Sequence, residues 1–103
     1  MKKYIVYTKE KGKIEIDADN CYDVDGLTLH NEDGPAYQRF NSNGQLDFIE
    51  YYKNGKRHRL DGPAHQRFYP GGQLGYEEYY INSTFYTKTE YAVEIFKMKL
   101  ALL

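Results

Sequence analysis

The chain repeats itself. Residues 30–56 read HNEDGPAYQRFNSNGQLDFIEYYKNGK, and residues 58–84 read HRLDGPAHQRFYPGGQLGYEEYYINST, a shift of 28 positions. His30 aligns with His58, Asp33-Gly34-Pro35-Ala36 with Asp61-Gly62-Pro63-Ala64, and Glu50-Tyr51-Tyr52 with Glu78-Tyr79-Tyr80. So many identities at one offset are not coincidence. Self-similarity at a fixed period marks one supersecondary unit used more than once, stabilised by stacking on its neighbours. A degenerate copy precedes the two: residues 7–16 have the strand–Gly–strand form of 39–48, and residues 25–30 resemble 54–58 with one insertion. It lacks the Asp-Gly-Pro-Ala element, as an atypical end unit would.

Within each unit the residues predict two strands and two turns. Segments 36–42 and 45–53 flank Asn43-Gly44, and segments 45–53 and 56–60 flank Asn54-Gly55. Asn-Gly is the strongest short hairpin signal, because a type I′ turn needs positive φ at both central residues. Gly71-Gly72 serves the same purpose in the second unit, whereas Asn82-Ser83 is a weaker hairpin signal at the last. A two-residue turn at Asn54-Gly55 sets Lys53 opposite Lys56, Tyr52 opposite Arg57 and Tyr51 opposite His58. It also sets Glu50 opposite Arg59 as an exposed pair, and Ile49 opposite Leu60. Tyr52 and Arg57 are expected to stack. Tyr51 and Tyr52 point to opposite faces, since a strand's period is two. Asp-Gly-Pro-Ala is turn chemistry, and its recurrence beside His30 and His58 reads as a structural need met twice, not as a catalytic pair.

From Thr87 the pattern changes to helical spacing. Thr87 with Glu90 fits a capping box, and Tyr91, Ile95, Met98 and Leu102 form one stripe, flanked by Ala92, Phe96 and Lys99. This helix is expected to cover one face of the sheet and cap its end. Its apolar terminus, Leu100, Leu102 and Leu103, is equally able to pair with a second chain.

A chain of 103 residues makes one domain with a shallow core. Its divisions are 1–29 (N-terminal hairpin or degenerate repeat), 30–57 and 58–86 (the two repeats), and 87–103 (the capping helix). The fold class is mainly β: an antiparallel β-meander of about seven to nine strands with one C-terminal helix. Twelve tyrosines and no tryptophan suit half-buried faces and binding surfaces better than a dry core. A net charge of -1 excludes an ordinary duplex-DNA binder. The single Cys21 excludes an internal disulfide. The N-terminal MKKYIVYTKEKGK lacks the apolar core of a signal peptide, and no run reaches the ~18 apolar residues of a membrane span. A cytoplasmic protein is expected.

The pattern of Asp-Gly-Pro-Ala, an aromatic strand, Asn-Gly or Gly-Gly, Glu-x-Tyr-Tyr and Asn-Gly-Lys resembles the MORN-like repeats of bacterial, phage and giant-virus proteins. His58-Arg59-Leu60-Asp61-Gly62-Pro63-Ala64 matches their core, and 30–36 departs from it by Asn31 at the arginine position. The resemblance spans roughly residues 27–86. It implies a protein-interaction scaffold, in some relatives one linked to membrane lipids, and supplies no catalytic motif. A small inhibitor, such as an antitoxin, an immunity protein or a phage anti-defence factor, is consistent with that family.

The search for chemistry agrees. The acidic run 17–26 fails EF-hand spacing, with Tyr22 or Thr28 where glycine is needed. His30, His58, His65 and Cys21 show no zinc spacing, no phosphate loop is present, and nothing orients Cys21 with His30 as a nucleophile pair. The expectation is therefore no enzyme, no metal and no cofactor. Arginines 39, 57, 59 and 67 alternate with aromatic residues, which suits unpaired bases, but Glu50, Glu77 and Glu78 in the same strands repel phosphate. Single-stranded nucleic acid or a lipid surface is the alternative. A protein partner fits best, through Tyr51, Tyr52, Arg57, Arg59, Arg67, Tyr79 and Tyr80. A homodimer through edge strands or the helix is a further expectation.

Overall fold

Alternation of side chains builds the first hairpin. A computed structural model of the chain describes residues 2–18 and 26–103. Cys21 and the acidic residues Asp19, Asp23 and Asp25 lie outside them. In Lys2–Thr8 (β1), Tyr4, Val6 and Thr8 are buried while Lys3 is exposed on the other face. β1 pairs antiparallel with Gly12–Ala18 (β2), setting Val6 opposite Ile14 and Tyr4 opposite Ile16. Tyr4, Val6 and Ile16 form the buried cluster, with Ile14, Leu29 and Tyr37 packed on it.

The remaining strands are Tyr37–Phe40 (β3), Leu46–Glu50 (β4), Tyr52–Lys53 (β5), Lys56–Arg57 (β6), His65–Phe68 (β7), Leu74–Ile81 (β8) and Thr84–Tyr86 (β9), followed by the helix Lys88–Ala101 (α1). Seven strands form one antiparallel meander in the order β2-β1-β3-β4-β7-β8-β9, and β5-β6 stand apart as a two-stranded sheet. The molecule measures 47 × 34 × 19 Å, about two layers thick, so its core is as shallow as the chain length requires.

The separate β5-β6 hairpin is the main departure from the expected ladder. Lys53 does face Lys56 and Tyr52 does face Arg57. The long strand expected over 45–53 breaks at Tyr51, however. Ile49 pairs with Gln38 and Gln66 instead of Leu60, and Glu50 with Tyr37 and His65 instead of Arg59. The cause lies in Ala36 and Ala64. The Ala36 amide donates to the Glu50 carbonyl and its carbonyl accepts from Tyr7. The Ala64 amide likewise donates to the Glu78 carbonyl and its carbonyl accepts from Tyr51. Beyond these points the chain pairs with different neighbours. Asn31 donates to the Tyr52 carbonyl, Gly55 to the Leu29 carbonyl, Arg59 to the Tyr80 carbonyl and Ser83 to the Arg57 carbonyl.

The turns sort by residue type. Asn54-Gly55 has φ of 52° and 79°, as a type I′ hairpin needs. At Asn43-Gly44 only Gly44 is left-handed (φ 81°), the Gly44 amide reaches the Asn41 carbonyl, and the register shifts between Arg39 and Phe40. That is a longer loop with a glycine bulge, not the expected two-residue turn. Tyr69–Gln73 closes in the same way, with Pro70 ahead of the left-handed Gly71. Asn82-Ser83 does form a hairpin, with φ of 47° and 68°, and aligns Tyr80 with Phe85. His30 Nδ1 accepts the Asn54 amide at 3.0 Å, and His58 Nδ1 accepts the Asn82 amide at 3.1 Å. Each histidine therefore pins the tip of a hairpin.

α1 opens with the expected capping box, Thr87 and Glu90 each bonding the other's amide. It does not blanket a sheet face. Only Tyr91 is buried, Ile95 is half-buried, and Met98 and Leu102 of the predicted stripe are exposed. The helix touches the sheet through β8 and β9 at its end. Phe96 and Leu100 are exposed as well, Phe96 at the cleft it lines with Tyr91 and Ile95.

Ser83 holds a left-handed conformation that glycine adopts without steric cost. Ser83→Gly is expected to stabilise the fold by about 1 kcal/mol, raising the thermal midpoint by about 4–8 °C. A lower midpoint would show that the Ser83 side chain contributes more than its backbone costs.

Candidate protein-interaction site

The seven residues singled out from the sequence fall into separate groups. Tyr52, Arg57 and Tyr80 surround Glu50, Tyr51 and Arg59 stack on each other, Tyr79 meets the helix, and Arg67 lies over Phe48. As the period of two requires, Tyr51 and Tyr52 take different partners.

Among the described residues Glu50 is the buried carboxylate, at 5% exposure. Its Oε2 lies 2.7 Å from Arg57 Nε and 3.2 Å from His65 Nδ1, and its Oε1 accepts the Tyr52 hydroxyl at 3.1 Å. Arg57 Nη1 reaches the Tyr80 hydroxyl at 3.5 Å, and its guanidinium lies 5.3 Å from the Tyr80 ring centre. The expected stack of Arg57 on Tyr52 is thus replaced by a stack on Tyr80. Burial opposes charge on Arg57, but the Tyr52 hydroxyl and the Glu50 carboxylate outweigh it and hold the guanidinium firmly protonated. Burial, with the Glu50 charge added, pushes the Tyr52 phenol up. The expected Glu50–Arg59 pair does not form, because Glu50 is turned into this cluster. His65 lies between Glu50 and Glu78 and continues a row of edge-on and stacked rings, Tyr4, Tyr37, Phe48, His65 and Tyr76. These contacts are mutual, so most of this face is occupied by its own side chains.

The other arrangement is open. Arg59 lies 4.0 Å from the centre of the Tyr51 ring, and its Nη1 donates to the Pro63 carbonyl while its Nε meets Asp61 at 3.0 Å. In the first loop Asn31 takes the equivalent place, its Nδ2 donating to the Pro35 carbonyl at 3.0 Å. Between the 31–34 and 58–61 segments runs a groove of about 550 Å³, lined also by the half-buried Tyr51 and Tyr52 and the exposed Lys53. Three of the residues expected to bind a partner, Tyr51, Tyr52 and Arg59, therefore meet in one concave place. Tyr79 instead contacts Tyr91 of α1, and Arg57, Tyr80 and Arg67 lie elsewhere. Asn31, Glu32, Asp33 and Gly34 belong to the acidic 14–36 segment, which the sequence leaves open as an alternative binding surface without singling out these four. The signal available was the difference between the two copies at 31 and 59, and at 32 and 60.

Among the described residues no three His, Cys, Asp or Glu side chains converge as metal ligands would. Nor is any helix among the described residues long and apolar enough to cross a membrane. Comparison of the chain with known protein families, characterised proteins and solved structures finds no match to any of them.

Glu50→Gln leaves Arg57 and His65 facing a neutral amide in a buried site. It is expected to cost about 2 kcal/mol in denaturant unfolding, less than a fully buried pair because Arg57 is partly solvated. The exposed Asp61→Asn should stay within about 0.5 kcal/mol of the parent. Equal effects of the two would contradict the reading of Glu50 as the buried anchor.

The His58 ring is held below its ordinary value of 6.5 by burial and by the neighbouring charge of Lys53. The folded chain favours the neutral ring, so the unfolded chain takes up the proton first. This contribution to stability is full above about pH 6.5 and is lost as the pH falls below it. Melting the protein on either side of that value should show the drop, and His58→Gln should reduce it. A drop of the same size in the variant would assign the titration to other groups.

Proposed function

We propose that this chain is a non-enzymatic protein-binding module of inhibitor type, acting by occluding a partner through the groove between the 31–34 and 58–61 segments. One observation carries the reading: Arg59 is stacked on Tyr51 beside Tyr52 in a concavity of about 550 Å³. Tyrosine offers a large rigid contact area at low entropic cost, and arginine beside it is the usual composition of an energetic centre in an interface. Here both are already ordered, because Arg59 is fixed by Asp61 and the Pro63 carbonyl. Less entropy is then lost on association. The groove's mixed charges, with Glu32, Asp33 and Asp61 facing Lys53 and Arg59, suit a protein surface better than a polyanion.

Affinity capture from host lysate treated with nuclease is the test. The parent protein should retain a protein in stoichiometric amount, and Tyr51→Ser should retain at least about tenfold less while keeping its fold, a loss of about 1.4 kcal/mol. Retention of nucleic acid that vanishes on nuclease treatment would replace this reading by single-strand binding. Undiminished capture by Tyr51→Ser would move the interface away from the groove.

A further inference from the structure

The two copies of the Asp-Gly-Pro-Ala loop are used differently. In the second, the chain fills the loop itself. The Tyr91 hydroxyl donates to the Arg59 carbonyl at 2.6 Å and accepts the Gly62 amide at 3.2 Å, with its ring 4.7 Å from Tyr79. Leu60, Asp61, Gly62 and Tyr79 line the cleft beside that contact. Moved back by 28 positions these are Glu32, Asp33, Gly34 and Tyr51, and all of them line the open groove. The residue 28 positions before Tyr91 is Pro63, which carries no hydroxyl. The Asn31 carbonyl and the Gly34 amide, counterparts of the two groups that Tyr91 joins, accordingly have no hydrogen-bond partner among the described residues. An amide and a carbonyl left unjoined in a half-buried loop form a ready receptor for one hydroxyl.

The substitutions between the copies say what accompanies that hydroxyl. Glu32 replaces Leu60, so the first loop loses an apolar neighbour and gains a carboxylate. Asn31 replaces Arg59, so the Asp33 carboxylate lacks the guanidinium that holds Asp61 at 3.0 Å. The contact of Glu32 with a basic group is a long one, 3.8 Å to His30. Two exposed acids thus stand beside the Asn31 carbonyl and the Gly34 amide, while the Tyr51–Arg59 stack offers a flat surface for a ring. We infer that the groove receives a tyrosine side chain of the protein partner, flanked by lysine or arginine, and holds its hydroxyl between the Asn31 carbonyl and the Gly34 amide. The inference rests on the protein-binding reading above and names what that partner must present.

The probe is acetyl-Lys-Tyr-Lys-amide, titrated against the isotope-labelled whole chain and followed by amide NMR, with acetyl-Lys-Phe-Lys-amide as its control. The Gly34 amide should shift saturably with the tyrosine peptide, and the phenylalanine peptide should bind about tenfold more weakly for lack of the hydroxyl. Glu32→Gln together with Asp33→Asn, at exposed positions, should weaken the tyrosine peptide by a similar factor while leaving the rest of the spectrum in place. A Gly34 amide that does not move, equal affinity for the two peptides, or an unaffected double variant each overturns the assignment. The two proposals fail separately. A captured partner with no response at Gly34 removes the tyrosine receptor alone. A tyrosine-dependent shift with no captured protein removes the occlusion reading and leaves the receptor.

Discussion

The sheet divides where Ala36 and Ala64 sit, because each alanine accepts from the strand on one side and donates to the strand on the other. Both are fully buried. From this fork β4 and β7 run together in the meander, while the chain between them turns aside as the β5-β6 hairpin. Tyr51 is at the division itself, its amide on Ala64 and its carbonyl receiving His58. The division therefore creates the groove. A continuous ladder from 45 to 60 would have paired Arg59 with Glu50 and left no concavity between the two loops.

Much of the architecture was legible because it depends on local chemistry. Alternation in β1, the left-handed pair at Asn54-Gly55 and the reciprocal bonds of Thr87 and Glu90 all follow from neighbouring residues. What was not legible depends on distant pairing. Asn43-Gly44 has the composition of a two-residue turn, but the bulge at Arg39–Phe40 decides the register, and with it the loop length. Asn82-Ser83 lacks the favoured glycine, yet the pairing of β8 with β9 and the His58 bond to Asn82 hold it in the left-handed region. The stripe on α1 was read correctly as helical, but its burial presumed a broad sheet face, and the helix meets only the end of the sheet.

The residues chosen for binding show the same limit. Tyrosine and arginine are the right types for an interface, and the sequence pairs them closely, but it does not say which pairs are used internally. Arg57 and Tyr80 are committed to the Glu50 cluster, a cluster assembled from β4, the β5-β6 hairpin, β7 and β8 that no single hairpin register reveals. Arg59 stacks on Tyr51 and is bonded to the Asp61 carboxylate and the Pro63 carbonyl, and the pair remains beside open space.

The difference between the loops has a physical logic that runs through their charges. A loop that the chain covers with its own helix must lose water over part of its surface, and an unpaired carboxylate there would resist it. In the second loop Tyr91 satisfies the Arg59 carbonyl and the Gly62 amide, Leu60 lines the cleft beside it, and Asp61, paired with Arg59, keeps its carboxylate in solvent. In the first loop, with Asn31 in place of arginine and Glu32 in place of leucine, the two acids stand exposed to water. The second loop is thus joined to α1 through Tyr91, while the first, with Asn31 and Glu32 in place of Arg59 and Leu60, lines the open groove.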